Sequence, residues 1–214
     1  HIGTVEQWEH NQNILKEAIT DMGKEFEVNE GDGAFYGPKL DFHLADSLGR
    51  TWQCGTVQLD SQLPERFELE YTGEDGQKHR PVMLHRVVLG SIERFIGVIT
   101  EHFAGAFPTW LAPVQVKVLP ITDRAADYAN QVAAKLDALG YRVETDHRNE
   151  KIGKKIRDTQ LEKVPYMLVV GDKEAETGDV AVRNRHGQQT VIAFDTFVEK
   201  LKDEVDSKSI EQKI

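Results

Sequence analysis

The sequence predicts an α+β domain with an antiparallel sheet over residues 1–112, then an α/β domain with a mixed sheet over residues 113–214. Three observations carry this. In the first half, short runs of alternating apolar residues are separated by Gly- and Asp-rich turns. "FPTWLAP", residues 107–113, puts two prolines into a segment without any period, which marks a boundary. Beyond it strands and helices alternate, and "YMLVVG" is wholly apolar, as in a strand covered on both faces.

The elements follow in order. Thr4 is a candidate N-cap with Gln7 as its capping-box partner. Trp8, Leu15, Ala18, Ile19 and Met22 then recur at roughly helical spacing, and Gly23 ends the helix. Residues 24–60 read as an antiparallel meander with "EGDG" and "DSLG" as turns. Within it Leu40, Phe42 and Leu44 alternate with Asp41 and His43, the pattern of a half-buried strand. "TGEDGQ" is another turn, and "HRPVMLHRVVLG" is a strand leading into a helix from Ser91 with Ile92, Phe95, Ile96, Ile99 and Phe103 on one side. In the second half "VQVKVLPI", "YRVETD" and "YMLVVG" are strands. "DRAADYANQVAAKLDALG" and "EKIGKKIRDTQLEK" are helices, the second weakened at its start by Gly153. "DVAVRNRHGQQTVIAF" is a hairpin turning at His186-Gly187, and a last helix follows with Asp195 as N-cap.

Composition bounds the function. With 39% hydrophobic and 29% charged residues, the 214-residue chain is globular rather than disordered. No apolar run approaches the ~20 residues of a membrane span. One cysteine permits no internal disulfide and fits a reducing, cytoplasmic setting. The start is unlike a signal peptide and lacks Met, as expected of a piece of a longer chain. The net charge of −10 argues against nucleic acid, but it is uneven. Residues 1–112 carry 18 acidic and 9 basic residues, and residues 113–214 carry 18 and 17. Arg148, Lys151, Lys154, Lys155, Arg157 and Lys163 form a local basic stretch that could hold phosphates. Glu150, Asp158 and Glu162 lie among them, so a solvated helix of mixed charge fits the same composition.

Individual residues are ambiguous on spacing alone. Arg94 sits in the first turn of a helix that Ser91 can cap, where N–H groups and the dipole favour a polyphosphate; on spacing alone a surface ion pair is the ordinary role of such an arginine. His85 ends an apolar strand, where a hydrogen-bonded core histidine is the ordinary occupant. Tyr36 fits a core aromatic, and Gln53, Thr56 and Gln58 fit a solvated strand face. Strict alternation sets Gln53 opposite Thr56 and Gln58; a bulge at Gly55 would bring all three to one face.

Three blocks reduce the ambiguity: "EGDGAFYGPKLDFHLADSLGRTWQCGTVQLD", "HRVVLGSIERFIGVITEHFAGAFPTWLAPVQV" and "RNEKIGKKIRDTQLEKVPYMLVVGDKE". With them nearly the whole chain resembles the C-terminal part of the threonyl-tRNA synthetases, class II aminoacyl-tRNA synthetases. The resemblance implies part of a class II catalytic domain over residues 1–112 and an anticodon-binding domain over residues 113–214. It implies ATP-dependent activation of threonine with Mg²⁺, transfer to tRNA-Thr, and a homodimeric parent enzyme. "GSIERF" resembles class II motif 3 and makes Arg94 an ATP ligand. Gln53 and Thr56 match residues on the ATP side, and Tyr36 and Gln58 match residues facing threonine. His85 matches one ligand of a catalytic zinc; the family's other two lie upstream of this sequence, so Cys54 is a buried bystander. Asn149, Glu174 and Arg183 match the anticodon readers. Lys163 stands where the family often has Arg, with loss of bidentate capacity. Motifs 1 and 2 have no counterpart, so these residues alone are expected to be inactive. The alternative is a non-catalytic tRNA-binding module; a sister prolyl, glycyl or histidyl enzyme fits less well around Tyr36 and Gln53.

Overall fold

The structure is a computed structural model and describes residues 2–214. It divides into two compact units, the first ending at His102 and the second spanning Phe103–Ile214.

The first unit opens with α1 (Val5–Asp21). Thr4 Oγ1 accepts the Gln7 N–H at 3.2 Å while Gln7 Oε1 accepts the Thr4 N–H at 3.2 Å, the reciprocal cap that the sequence predicts. The inward stripe is Trp8, Asn11, Leu15 and Ile19; Met22 lies beyond the helix end and is exposed. Residues 24–38 form no strand, so the predicted meander reduces to one hairpin of β1 (Lys39–Ala45) and β2 (Thr51–Asp60). Asp46 closes its turn by accepting the N–H groups of Leu48 and Arg50, each at 2.9 Å, and the Trp52 indole N–H at 2.9 Å. After α2 (Gln62–Arg66), β3 (Tyr71–Thr72) and β4 (Lys78–His79) make a small ribbon over the predicted turn. Then β5 (Met83–Val87) pairs antiparallel with β2, giving the order β1-β2-β5. No residue of the closing helix α3 (Ile92–His102) is fully buried; on its apolar side Phe95 and Ile99 are half-buried. Its Ile92 and Ile96, like Phe42, Leu44 and Leu84 of the sheet, are exposed.

The second unit is built on five strands: β6 (Val116–Pro120), β7 (Val143–Thr145), β8 (Tyr166–Val170), β9 (Asp179–Asn184) and β10 (Gln189–Ala193). Their order is β10-β9-β8-β6-β7. The β6-β7 and β6-β8 pairs are parallel and the other two antiparallel, the mixed sheet expected from the sequence. Alternation along the buried strands divides the core. Val116, Val118, Tyr166, Leu168 and Val170 pack with Val132 and Leu136 of α4 (Ala126–Ala138) and Phe197 and Leu201 of α7 (Phe194–Asp206). Leu119, Met167, Val169 and Ala181 face Ile152 and Ile156 of α5 (Ile152–Leu161). Each such large side chain contributes about 1.5–3 kcal/mol on burial.

One expected cap is corrected and one helix is added. Asp195 lies in the first turn of α7 and does not cap it; the N-cap is Ala193, without a side-chain bond. A short helix, α6 (Asp172–Thr177), follows β8; Asp172 and Glu174 in its first turn and Gly178 at φ 76° as its C-cap are the local signals for it. Residues 103–113 pack with the second unit. Arg185 donates to the carbonyls of Ala106 and Phe107 at 2.9 and 2.6 Å, and Arg142 to those of Trp110 and Ala112, each at 2.9 Å.

Candidate functional site

The first site is one face of the β1-β2-β5 sheet. Register pairs Asp41 with Thr56 and Lys39 with Gln58, and Gln58 with His85 on the other side. Between Phe42 and His43 the register slips: Phe42 opposes Gly55 and His43 opposes Gln53, leaving Cys54 as the extra residue. The slip turns Gln53 onto the face of Thr56 and Gln58. Asp41 Oδ1 accepts from Gln53 Nε2 at 2.8 Å and from Thr56 Oγ1 at 2.7 Å, and Asp41 Oδ2 pairs with Lys39 Nζ at 2.6 Å. Burial pushes the Asp41 carboxyl up, but Lys39, Thr56 and Gln53 outweigh it and hold it below the ordinary range. The Cys54 thiol is buried at 5% exposure. Gly90, at φ 69°, crosses so close that a Cβ there would stand 2.5 Å from the Cys54 carbonyl oxygen.

At the other end of this face, the Tyr36 hydroxyl donates to Gln58 Oε1 at 2.5 Å and its ring meets the His85 ring edge-on at 5.8 Å. His85 Nε2 is 2.8 Å from Asp60 Oδ2. Asp60 is fully buried and also accepts the N–H groups of Gln62 and Leu63 through Oδ1 at 2.8 and 3.0 Å. The helix α3 begins beside the bulge. Ser91 Oγ accepts the Arg94 N–H at 3.4 Å, and the exposed Arg94 side chain reaches the Gln53 carbonyl at 3.5 Å. Tyr36, Gln53, Thr56, Gln58 and His85 thus form one polar strip, with Arg94 tied to it at Gln53. Sequence reasoning leaves Lys39 unassigned and misses Asp41 and Asp60. The signal for the two carboxylates is their even spacing with Lys39 and with Thr56 and Gln58.

No group of three or more His, Cys, Asp or Glu that could hold a metal occurs among the described residues. His85 alone suits one metal-donor position, since its Nε2 is held by a carboxylate and its Nδ1 is left to serve as a ligand.

The second site lies on the second unit. Asn149 is exposed in the loop after β7. Glu174 is in the first turn of α6 and accepts the Gly171 N–H at 2.9 Å. Arg183 stands on β9 opposite Met167 and Gln189, and its Nε has no hydrogen-bond partner. Asn149 and Glu174 follow the C-terminal ends of the parallel strands, while Arg183 is level with the start of β8, about 10 Å away along that strand. The basic stretch is mostly committed internally. Arg148 forks onto Asp146 at 2.9 and 2.7 Å and also reaches Asp158, and Lys154 pairs with Glu150. Lys155 is 5% exposed and donates to the carbonyls of Pro120 and Asp146; Lys163 donates to that of Ala104. Of the stretch, only the side chains of Lys151 and Arg157 are exposed without a hydrogen bond or ion pair among the described residues.

Comparisons with known proteins match both parts of the chain. Residues 4–103 match the class II tRNA synthetase core domain (G, H, P, S and T), and residues 115–204 match the anticodon binding domain. The threonine–tRNA ligase of Desulforamulus reducens is 62% identical over 210 residues, 98% of this chain and 33% of its own length. The chain belongs to the threonyl-tRNA synthetase family. It spans about a third of the length of the curated relatives it matches. The RNA binding domain of threonyl-tRNA synthetase from Cryptosporidium parvum superposes with a TM-score of 0.88 at 44% identity, covering 95% of this chain and 52% of that one. A putative threonyl-tRNA synthetase from Aeropyrum pernix does so with a TM-score of 0.68 at 29% identity, covering 99% and 52%. No helix among the described residues is long and apolar enough to cross a membrane.

Proposed function

We propose that the chain serves threonine–tRNA ligation: ATP-dependent activation of threonine followed by transfer to tRNA-Thr. The observation that carries this is the Cys54 bulge, which turns Gln53 onto the face of Thr56 and Gln58 and beside Arg94. In this reading Gln53, Thr56 and Arg94 hold ATP, and Arg94 offsets phosphate charge together with Mg²⁺. Tyr36 and Gln58 hold threonine, and His85 supplies one nitrogen to a zinc ion. A bound zinc would take up the amino and hydroxyl groups of threonine as a Lewis acid. An analogue lacking the hydroxyl would leave that site unpaired and be rejected. The domain over residues 113–214 reads the anticodon through Asn149, Glu174 and Arg183, with Lys151 and Arg157 as phosphate contacts. A cytoplasmic setting and a homodimeric parent enzyme complete the reading.

One imidazole cannot hold zinc tightly. The 214 residues by themselves should therefore give no threonine-dependent pyrophosphate exchange, and measurable exchange would refute that. The test of the nucleotide site is amide-shift mapping with ATP·Mg²⁺. Shifts confined to Gln53, Thr56 and the start of α3 are expected; shifts absent there withdraw the site. A second reading, a tRNA-binding module without catalysis, is favoured by the contrast between the closed core of the second unit and the exposed apolar residues of the first.

A further inference from the structure

We propose that Asp60 is the positioning residue for His85: it fixes the imidazole as the Nε2–H tautomer and leaves Nδ1 as the atom offered to a ligand. Asp60 sits at zero exposure with three contacts. Its Oδ1 accepts two backbone N–H groups from the start of α2, at 2.8 and 3.0 Å, and its Oδ2 faces His85 Nε2 at 2.8 Å. A carboxylate is an acceptor only, so the facing ring nitrogen must carry the proton. In neutral imidazole the second nitrogen is then the acceptor.

The two N–H donors anchor the carboxylate to the backbone, so its free oxygen cannot follow the ring. On the far side, Tyr36 meets His85 edge-on and is itself committed through its hydroxyl to Gln58. The ring is thereby held between a fixed acceptor and a fixed aromatic edge. Asp60 does not touch the ligand; it acts through His85, as an outer carboxylate does behind a metal-bound histidine. The identity of that ligand rests on the reading of His85 given above, whereas the tautomer does not.

The test is long-range ¹H–¹⁵N correlation of the imidazole nitrogens in the 214-residue chain, at a pH where His85 is neutral. The expected spectrum has a pyrrole-type Nε2 and a pyridine-type Nδ1 at His85. Asp60→Asn is expected to reverse it. The asparagine Oδ1 can still accept both backbone N–H groups, which puts its Nδ2–H₂ opposite His85 and demands an acceptor there. A purely structural Asp60 would leave the tautomer unmoved. A wild-type His85 with pyrrole-type Nδ1, or with the mixed shifts of free histidine, overturns the proposal. So does an Asp60→Asn variant with wild-type amide dispersion and an unchanged tautomer. If that variant does not fold, the wild-type spectrum alone decides. ATP mapping can fail while the tautomer stands, and the reverse, so the two readings fall separately.

Discussion

Gly37 precedes β1 where the chain passes over the end of β2. A Cβ built there would lie 1.9 Å from the Leu59 carbonyl oxygen and 3.1 Å from its carbon. An ordinary carbon–oxygen contact is about 3.3 Å, so Gly37→Ala must push the backbones at Gly37 and Leu59 apart by over ~1 Å. Neither side can yield by rotating a side chain. The separation breaks the Leu59 N–H bond to the Pro38 carbonyl, now 3.1 Å, and carries Tyr36 away from Gln58. Overpacking of this kind costs about 1–3 kcal/mol, and the lost backbone bond adds about 0.5–1.5 kcal/mol. The predicted loss is therefore roughly 2–4 kcal/mol in the first unit. Urea unfolding followed by the fluorescence of Trp8 and Trp52, both in that unit, reads it. Gly97→Ala is the internal control. It lies inside α3 with open space around its Cβ and should gain about 0.5–1 kcal/mol. A Gly37→Ala variant within about 0.5 kcal/mol of wild type, the spread of neutral surface changes, would refute the close-approach argument.

Other outcomes follow from the second unit. Tyr166→Phe removes the 2.6 Å bond to the buried Glu204 carboxylate and the acceptor of the Ile214 N–H, so it should cost about 1–3 kcal/mol. It should also speed limited proteolysis of residues 207–214. Asp146 is held below its ordinary carboxylate value, first by Arg148. Its contribution is complete above the unfolded value of about 3.9 and is lost as the pH falls through the lower folded value. Asp146→Asn should therefore flatten the acid limb of a stability–pH curve while leaving its alkaline side unchanged in shape. Lys155→Met should lower thermal stability and leave the salt slope of RNA binding unchanged, because its ammonium is buried on two carbonyls. Lys151→Ala or Arg157→Ala should reduce that slope by about one phosphate contact each without affecting stability.

Local chemistry was legible in the sequence and distant pairing was not. The Thr4–Gln7 cap, the Gly187 turn and the apolar run of β8 announce themselves within a few residues. The bulge was not legible in the residues alone, which fit a solvated strand face; it followed from the family resemblance that gathers Gln53, Thr56 and Gln58, and the structure inserts Cys54 next to the expected Gly55. The segment 24–36 misled because turn residues suggest strands between them even where no partner strand is present. The basic stretch was legible in part, since its composition fits a solvated helix of mixed charge. Its nearby carboxylates, Asp146, Glu150 and Asp158, were in plain view and take up Arg148 and Lys154, whereas the burial of Lys155 on carbonyls such as that of Pro120, 35 residues away in sequence, was not. The commitments of Asp41 and Asp60 depend on cross-strand register, which alternation suggests but does not fix.

Under the proposed function the second unit reads bases and does more than attract phosphates. The most direct measurement is titration of the 214-residue chain with a tRNA-Thr anticodon hairpin and with one whose second and third anticodon bases are swapped, at two salt concentrations. It is repeated with Asn149→Ala, Glu174→Gln and Arg183→Ala. The account predicts tighter binding to the first hairpin at both salts. It also predicts that each variant erodes that preference by a factor of roughly 5–150 per lost base contact, on the order of 1–3 kcal/mol, with the salt slope kept for the two uncharged replacements of Asn149 and Glu174. Equal binding to both hairpins, lost at higher salt and indifferent to the three substitutions, would contradict it.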